Sequence, residues 1–190
     1  MARTVVVPLV DGFEEIEAVT IIDVLRRADV PVIIAGGARG EVVGAHDIVI
    51  TADHALSEID AADVAMVVLP GGMPGAANLA ANPDVQRLIK AVAPRGTVAA
   101  ICAAPMALGA AGVVAGKTAT CYPGFEDKVT GARLVNDRVV VDGKVVTSRG
   151  PGTALEFALT LVGLLAGKEA EAGLSEGMLV HRPAPARIVQ

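Results

Sequence analysis

The 190-residue chain has no tryptophan, one tyrosine, three phenylalanines and two cysteines. So few rings leave little for stacking bases or gripping sugars, which argues against single-stranded nucleic-acid and carbohydrate recognition. Positive charge is not in excess either: 16 Lys and Arg stand against 21 Asp and Glu, a net charge of −5. That balance suits a soluble surface and argues against general nucleic-acid binding. Two cysteines, Cys102 and Cys121, are too few for a secreted disulfide scaffold or a cysteine-rich zinc module. The first apolar run, Val5 to Val10, is short and stops at Asp11-Gly12. A signal peptide needs a longer apolar region, so the expectation is a cytoplasmic protein. One stretch, Gly96 to Gly116, carries no charge and is long enough to span a bilayer. It is dominated by Ala, is broken by Pro105, Gly109 and Gly112, and lacks flanking aromatic anchors. A buried strand, a sharp turn and a short core helix account for it better, and no membrane partner is expected.

Apolar residues are plentiful, at 53 %, which excludes intrinsic disorder. The length fits a single domain with its own core. Thr4–Val10, Pro31–Ala35, Val64–Leu69 and Thr97–Ile101 read as short, uncharged, β-branched or Ala-rich strands. Val42–Thr51 fits a short hairpin or irregular strands. Helices are expected over Glu14–Ala28, from Pro83 to about Val92 with Asn82 as cap, from Pro105, and over Thr153–Leu165. Asp142-Gly143 between Val135–Val141 and Lys144–Thr147 is a hairpin signal. The tail His181-Arg182-Pro183-Ala184-Pro185 reads as extended. With no linker or repeat, residues 1–190 read as one α/β domain: a doubly wound, mostly parallel sheet covered by helices on both faces, with a small hairpin. Such sheets place ligands at the carboxyl ends of their strands, near the switch in strand order. The loops after Val10, Leu69 and Ile101 are therefore the informative ones.

Three features meet in those loops. Cys102 sits between a strand and Pro105, where a sharp turn would project its thiol from the sheet edge. A helix N-terminus there would favour thiolate. A buried structural cysteine fits the same position. On a helical wheel, Glu14 and Glu17 share the inward stripe of Ile21, Val24, Leu25 and Ala28, while Glu15, Asp23, Arg26 and Arg27 fall outside it. Carboxylates on a core stripe are costly unless paired or protonated. Burial would raise the pKa of Glu17, so that its acid form could donate a hydrogen bond. First-turn acids also simply favour a helix start. Third, Leu69-Pro70-Gly71-Gly72-Met73-Pro74-Gly75 is a loop whose backbone can approach a ligand closely. Gly72 and Ala103 N–H groups could together form an oxyanion hole, although Pro-Gly pairs usually mark ordinary turns.

Four segments carry a resemblance. Asp11-Gly12-Phe13-Glu14-Glu15-Ile16-Glu17-Ala18-Val19, Val68-Leu69-Pro70-Gly71-Gly72, Ala99-Ala100-Ile101-Cys102-Ala103-Ala104-Pro105 and Thr147-Ser148-Arg149-Gly150-Pro151-Gly152-Thr153 together make the chain resemble the ThiJ/PfpI superfamily. Within it, the chain is similar to the branch of the Parkinson-disease protein deglycase and YajL. The resemblance implies a flavodoxin-like sandwich and a homodimer. It implies Cys102 as the reactive, oxidisable nucleophile, Glu17 as the acid hydrogen-bonded to it, and backbone help from Gly72 and Ala103. It implies no cofactor. Independently, Ile16 and Val19 lie on the outer face of the first helix, where apolar residues would suit a subunit contact.

The departures from the family pattern matter. Protease-like members carry His directly after the nucleophile, where this chain has Ala103, which counts against peptidase or amidotransferase chemistry. Tyr122 stands where a site His occurs in the human relative, and a phenol is a poor base near neutrality. Glu14, Gly71 and Tyr122 complete the expected pocket.

The resemblance implies a cofactor-free glyoxalase or deglycase acting on reactive 2-oxoaldehydes such as methylglyoxal. The alternative is a redox-sensing stress protein or chaperone switched by oxidation of Cys102, with a cysteine hydrolase third. His46, His54 and His181 fall outside the catalytic segments, and His46 reads as a solvated loop residue. His46 and His54 with Asp47 and Asp53 make no compact metal-ligand pattern. Cys121 reads as structural. Arg149-Gly150-Pro151-Gly152-Thr153 could hold an anion before a helix but reads as a turn with Thr153 as cap.

Overall fold

The computed structural model describes residues 4–180 and the backbone of residues 187–189. The extended tail expected at His181–Pro185 lies outside the described residues. In chain order the strands are β1 (Thr4–Pro8), β2 (Val32–Gly36), β3 (Gly40–Val43), β4 (Val49–Ala52), β5 (His54–Ala55), β6 (Val64–Leu69), β7 (Thr97–Ile101), β8 (Thr118–Ala119), β9 (Arg133–Leu134), β10 (Val139–Asp142), β11 (Val145–Ser148) and β12 (Arg187–Val189). The helices are α1 (Glu15–Arg27), α2 (Gly75–Ala81), α3 (Pro83–Val92), α4 (Pro105–Ala110), α5 (Ala154–Ala166) and α6 (Lys168–Gly177).

Eight strands form the main sheet in the order β12-β10-β11-β7-β6-β1-β2-β5. From β5 through β11 every neighbouring pair is parallel. β10 runs antiparallel to β11 through the Asp142-Gly143 turn, with Gly143 at φ +61°. The central strands are apolar throughout because helices cover both faces. Val5, Val6, Val7, Val67, Val68, Val98 and Ala99 are fully buried. The chain moves from β1 through α1 to β2 on one side, then returns past β1 to β6 and on through α2 and α3 to β7. Right-handed crossovers in opposite directions put the two helix groups on opposite faces. Accordingly α1 packs with α5, and α5 with α6, whereas α2, α3 and α4 pack with one another. The strand order reverses between β1 and β6, so the loops after β1, β6 and β7 open together at one sheet edge.

Local chemistry fixes the boundaries. Asn82 Oδ1 accepts the Asp84 and Val85 N–H groups at 2.9 and 3.1 Å, and Pro83 opens α3 behind it. Val42–Thr51 resolves into the antiparallel hairpin β3–β4. The strand expected from Val135 begins only at Val139. The charge-free Gly96–Gly116 stretch is β7, a turn and α4, as its Pro and Gly residues predict. No described helix is long and apolar enough to cross a membrane.

Two helices go beyond the sequence expectation. α2 is Gly- and Ala-rich and lacks a side-chain cap. α6 has no buried residue and no capping side chain. Thr153 also differs from its expected role. Its hydroxyl does not cap α5 but closes the preceding turn, bonding Gly150 O, Gly150 N and Ser148 Oγ at 2.8, 3.1 and 2.6 Å.

Asn82→Ala removes both cap bonds while leaving the core untouched. It should cost about 1 kcal/mol, read by urea denaturation, and lower the midpoint of thermal unfolding by roughly 2–4 °C.

Candidate functional site

Three loops converge on one side chain. Cys102 follows β7 with φ +64°, a left-handed conformation that costs a non-glycine residue of order 1 kcal/mol or more and persists only where its surroundings enforce it. Here its N–H donates to Ser148 O at 3.0 Å, and its carbonyl accepts the Tyr122 N–H at 2.8 Å. The turn is thus pinned from both β11 and the segment after β8. It delivers the thiol, with the residue 8 % exposed, to the mouth of the strand-order switch. The Gly72 and Ala103 N–H groups both donate to its sulfur.

Glu17 comes from the first turn of α1 and is fully buried. Its Oε2 accepts the Gly71 N–H at 2.7 Å. Its Oε1 is buried without a hydrogen-bond partner, and the carboxyl as a whole interacts with the Cys102 thiol across the loop. Gly71 permits this approach: a Cβ there would lie 2.6 Å from Cys102 Cβ and 2.8 Å from Glu17 Oε2. Gly72, at φ +91°, has no more room, since a Cβ would meet the Glu14 nitrogen at 2.4 Å. Glu14 is buried as the wheel predicts and caps α1 by accepting the Glu17 N–H at 3.0 Å. Its own N–H donates to Gly71 O. Two loops are thereby stitched together around one carboxyl.

Burial pushes the Glu17 carboxyl up to about 7, reinforced by the charge of Glu14 and opposed by the Gly71 hydrogen bond. Burial and the charge of Glu17 push the Cys102 thiol up to about 12, against the pull of the Gly72 and Ala103 N–H groups. This overturns the expectation that a helix N-terminus favours thiolate here. α4 has only six residues, and the loss of water outweighs its dipole. The two groups are coupled, so one proton belongs to the pair. With Glu17 ionised the thiol keeps its proton. With Glu17 protonated the repulsion is gone, and the acid can donate to a thiolate.

The remaining expected residues are less central. Tyr122 is exposed, its ring edge-on to Phe125 at 6.3 Å; what it gives the nucleophile is its backbone N–H. Ile16 and Val19 are 58 % and 48 % exposed on the outer face of α1. Cys121 is buried and unpaired, and burial pushes its thiol up to about 11.

Glu15 corrects the helical wheel: it is only 3 % exposed. The β3–β4 turn covers it. Its carboxylate accepts the His46 backbone N–H and meets His46 Nδ1 at 2.7 Å. His46 is accordingly a partner of α1 rather than a free loop residue, its imidazole held above the ordinary range by Glu15. His54 instead faces Glu58 at 3.8 Å. Among the described residues, neither histidine is hydrogen-bonded to Cys102, so a Cys-His hydrolase site is not formed by them. Glu14, Glu15 and His46 have donor atoms within 4.8 Å of one another, a trio that could ligate a cation and that sequence spacing does not reveal.

The comparisons with known proteins show the family and the fold. Residues 3–164 match the DJ-1/PfpI family. The chain is 44 % identical over 187 residues to Protein DJ-1 homolog B of Arabidopsis thaliana, covering 96 % of this chain but 42 % of that protein. It thus spans less than half the length of that relative. It is 40 % identical over 159 residues to a Caenorhabditis elegans protein named glutathione-independent glyoxalase DJR-1.2, covering 82 % of this chain and 84 % of that one. The crystal structure of Drosophila melanogaster DJ-1beta superposes with a TM-score of 0.90 at 40 % identity, covering 96 % of this chain and all of that one.

The raised Glu17 carboxyl has a thermodynamic consequence. Below pH ~4.5 it is protonated folded and unfolded alike; between there and about 7 only the folded chain holds the proton. The stabilisation this represents is present at low pH and lost as pH rises through the folded value. The stability of the wild type relative to Glu17→Gln should therefore fall between pH 5 and 8 by a few kcal/mol, read by denaturant unfolding at each pH. A flat difference would place the ordinary carboxylate value on Glu17.

Proposed function

The chain belongs to the DJ-1/PfpI family, and on that premise we propose that it is a cysteine-dependent, cofactor-free glyoxalase that converts 2-oxoaldehydes such as methylglyoxal into 2-hydroxy acids. The observation that supports this most is the buried Glu17 carboxyl, titrating near neutrality, beside a thiol on a strained turn. A group with a pKa near the working pH is suited to take and return a proton in one turnover.

In this reading the Cys102 sulfur adds to the aldehyde carbon and the resulting oxyanion takes a proton, giving a hemithioacetal. The Gly72 and Ala103 N–H groups stabilise that oxygen as charge develops on it. Glu17, ionised once the thiol's proton has moved to the oxyanion, removes the proton on the former aldehyde carbon. The electron pair forms an enediol with the neighbouring ketone carbon. A proton adds to that second carbon while Glu17 takes the hydroxyl proton of the sulfur-bearing carbon, whose oxygen closes to the carbonyl of a thioester. Water attacks the thioester, the carbon–sulfur bond breaks, the thiol is restored and the 2-hydroxy acid leaves. One carbon is oxidised and its neighbour reduced, so no external oxidant, reductant or glutathione is needed. Protein deglycation belongs to the same reading, since an early carbinol adduct releases the same aldehyde when its amine or thiol leaves. Association of two copies through Ile16 and Val19 also belongs to it, supported by their exposure. A cytoplasmic setting, where thiols stay reduced, completes it.

A second reading is supported by the same thiol's contact with the Glu17 carboxyl. Oxidation to a sulfinic acid would set acidic oxygens against the protonated Glu17, making the site a redox sensor.

Lactate formation from methylglyoxal without glutathione separates the two. The wild type should produce lactate, Cys102→Ser none above background, and Glu17→Gln at least ~100-fold less. No lactate from the wild type, together with a peroxide-induced mass gain confined to Cys102, would favour the sensor.

A further inference from the structure

Methylglyoxal carries no charge, yet one residue away along the hydrogen-bonded backbone from Cys102 lies a cationic recess that its conversion does not use. The recess has a volume of about 240 Å³ and is lined by Tyr122, Arg138, Arg149 and the loop Gly150–Thr153. Both of its walls are tied to Cys102 by backbone. Cys102 N–H binds Ser148 O, immediately before Arg149, and Cys102 O binds the N–H of Tyr122 itself. Its floor is rigid: the Thr153 hydroxyl closes the loop on Gly150 and Ser148, and the Tyr122 ring lies against Gly150, where a Cβ would come within 3.0 Å of it.

The charges in the recess do not cancel. Arg138 is spent: its Nε meets Glu156 at 2.6 Å and its Nη2 donates to Gly152 O at 2.9 Å. Arg149 is half-buried, and its guanidinium donates to the neutral Asn136 amide oxygen at 2.8 Å. Among the described residues it has no carboxylate within ion-pair distance. Glu126 on the neighbouring segment accepts the Gly124 N–H instead. A guanidinium with unused donors at the rim of a recess is suited to a planar, bidentate anion.

The geometry points to this recess as the subsite for a carboxylate carried by the carbonyl substrate, so that the preferred substrates are 2-oxoaldehydes bearing an acid group rather than methylglyoxal. This rests on the glyoxalase reading of Cys102 and Glu17. The reaction balances as before: such a compound plus water gives the corresponding 2-hydroxy diacid, with the oxidation and reduction internal to adjacent carbons.

The test compares methylglyoxal with 4,5-dioxopentanoate, whose product is 2-hydroxyglutarate, in the wild type, Arg149→Gln and Arg149→Lys, each checked for an unchanged thermal midpoint. The wild type should favour the acid substrate in kcat/KM. Arg149→Gln should reduce that preference about tenfold, through KM, and Arg149→Lys should retain part of it because charge survives without the fork. A second measurement does not need turnover: glutarate should slow alkylation of Cys102 by iodoacetamide in the wild type and not in Arg149→Gln. Protection by glutarate without any 2-hydroxy acid product would sink the catalytic reading and leave the subsite standing. Absence of protection, or equal preference in wild type and Arg149→Gln, would overturn the subsite.

Discussion

A carboxyl group with no exposed surface, held against a thiol by a glycine that leaves no space for a side chain, is the constraint on which the rest of this molecule depends. Water is the usual stabiliser of both charged forms, and here it is excluded from both. The pair therefore keeps its protons to a higher pH than either group would alone. Maintaining that arrangement takes a helix start from β1, a tight loop from β6 and a strained turn from β7. All three arrive at the same place because the strand order reverses between β1 and β6.

The supporting contacts follow from this. Glu14 caps α1 and binds the Gly71 loop through its own N–H, which fixes the height of Glu17 against Cys102. Glu15, next to it, takes hold of the β3–β4 turn through His46. Three acids in four residues thus do three separate jobs: one caps, one anchors a hairpin and one shares a proton. The Arg149 recess extends the same edge of the sheet outward, from chemistry at the sulfur to charge at its rim.

Much of this was legible in the amino-acid order. β6 and β7 are continuous apolar runs closed by Pro-Gly-Gly and by Cys-Ala-Ala-Pro, so their ends are where the sequence predicts them. Asn82-Pro83 marks its helix for the same kind of local reason. α2 and α6 were not legible: one is too rich in Gly and Ala to show periodicity, and the other buries nothing. The site residues stood out because carboxylates on a core stripe are conspicuous. Glu15 did not, because a helical wheel knows only the sheet beneath a helix and not a hairpin that folds over it. The elevated Cys102 thiol was missed for a related reason: a helix start can be read from Pro105, but the loss of water around the sulfur depends on loops distant in sequence.

The most direct test of the shared proton is the pH dependence of Cys102 alkylation by iodoacetamide in the wild type and in Glu17→Gln. The account predicts that the wild-type rate rises with an inflection near the Glu17 value of about 7 and then levels off, and that Glu17→Gln loses this inflection. An identical profile for the two proteins would contradict it, since the thiol would then titrate without reference to the carboxyl beside it.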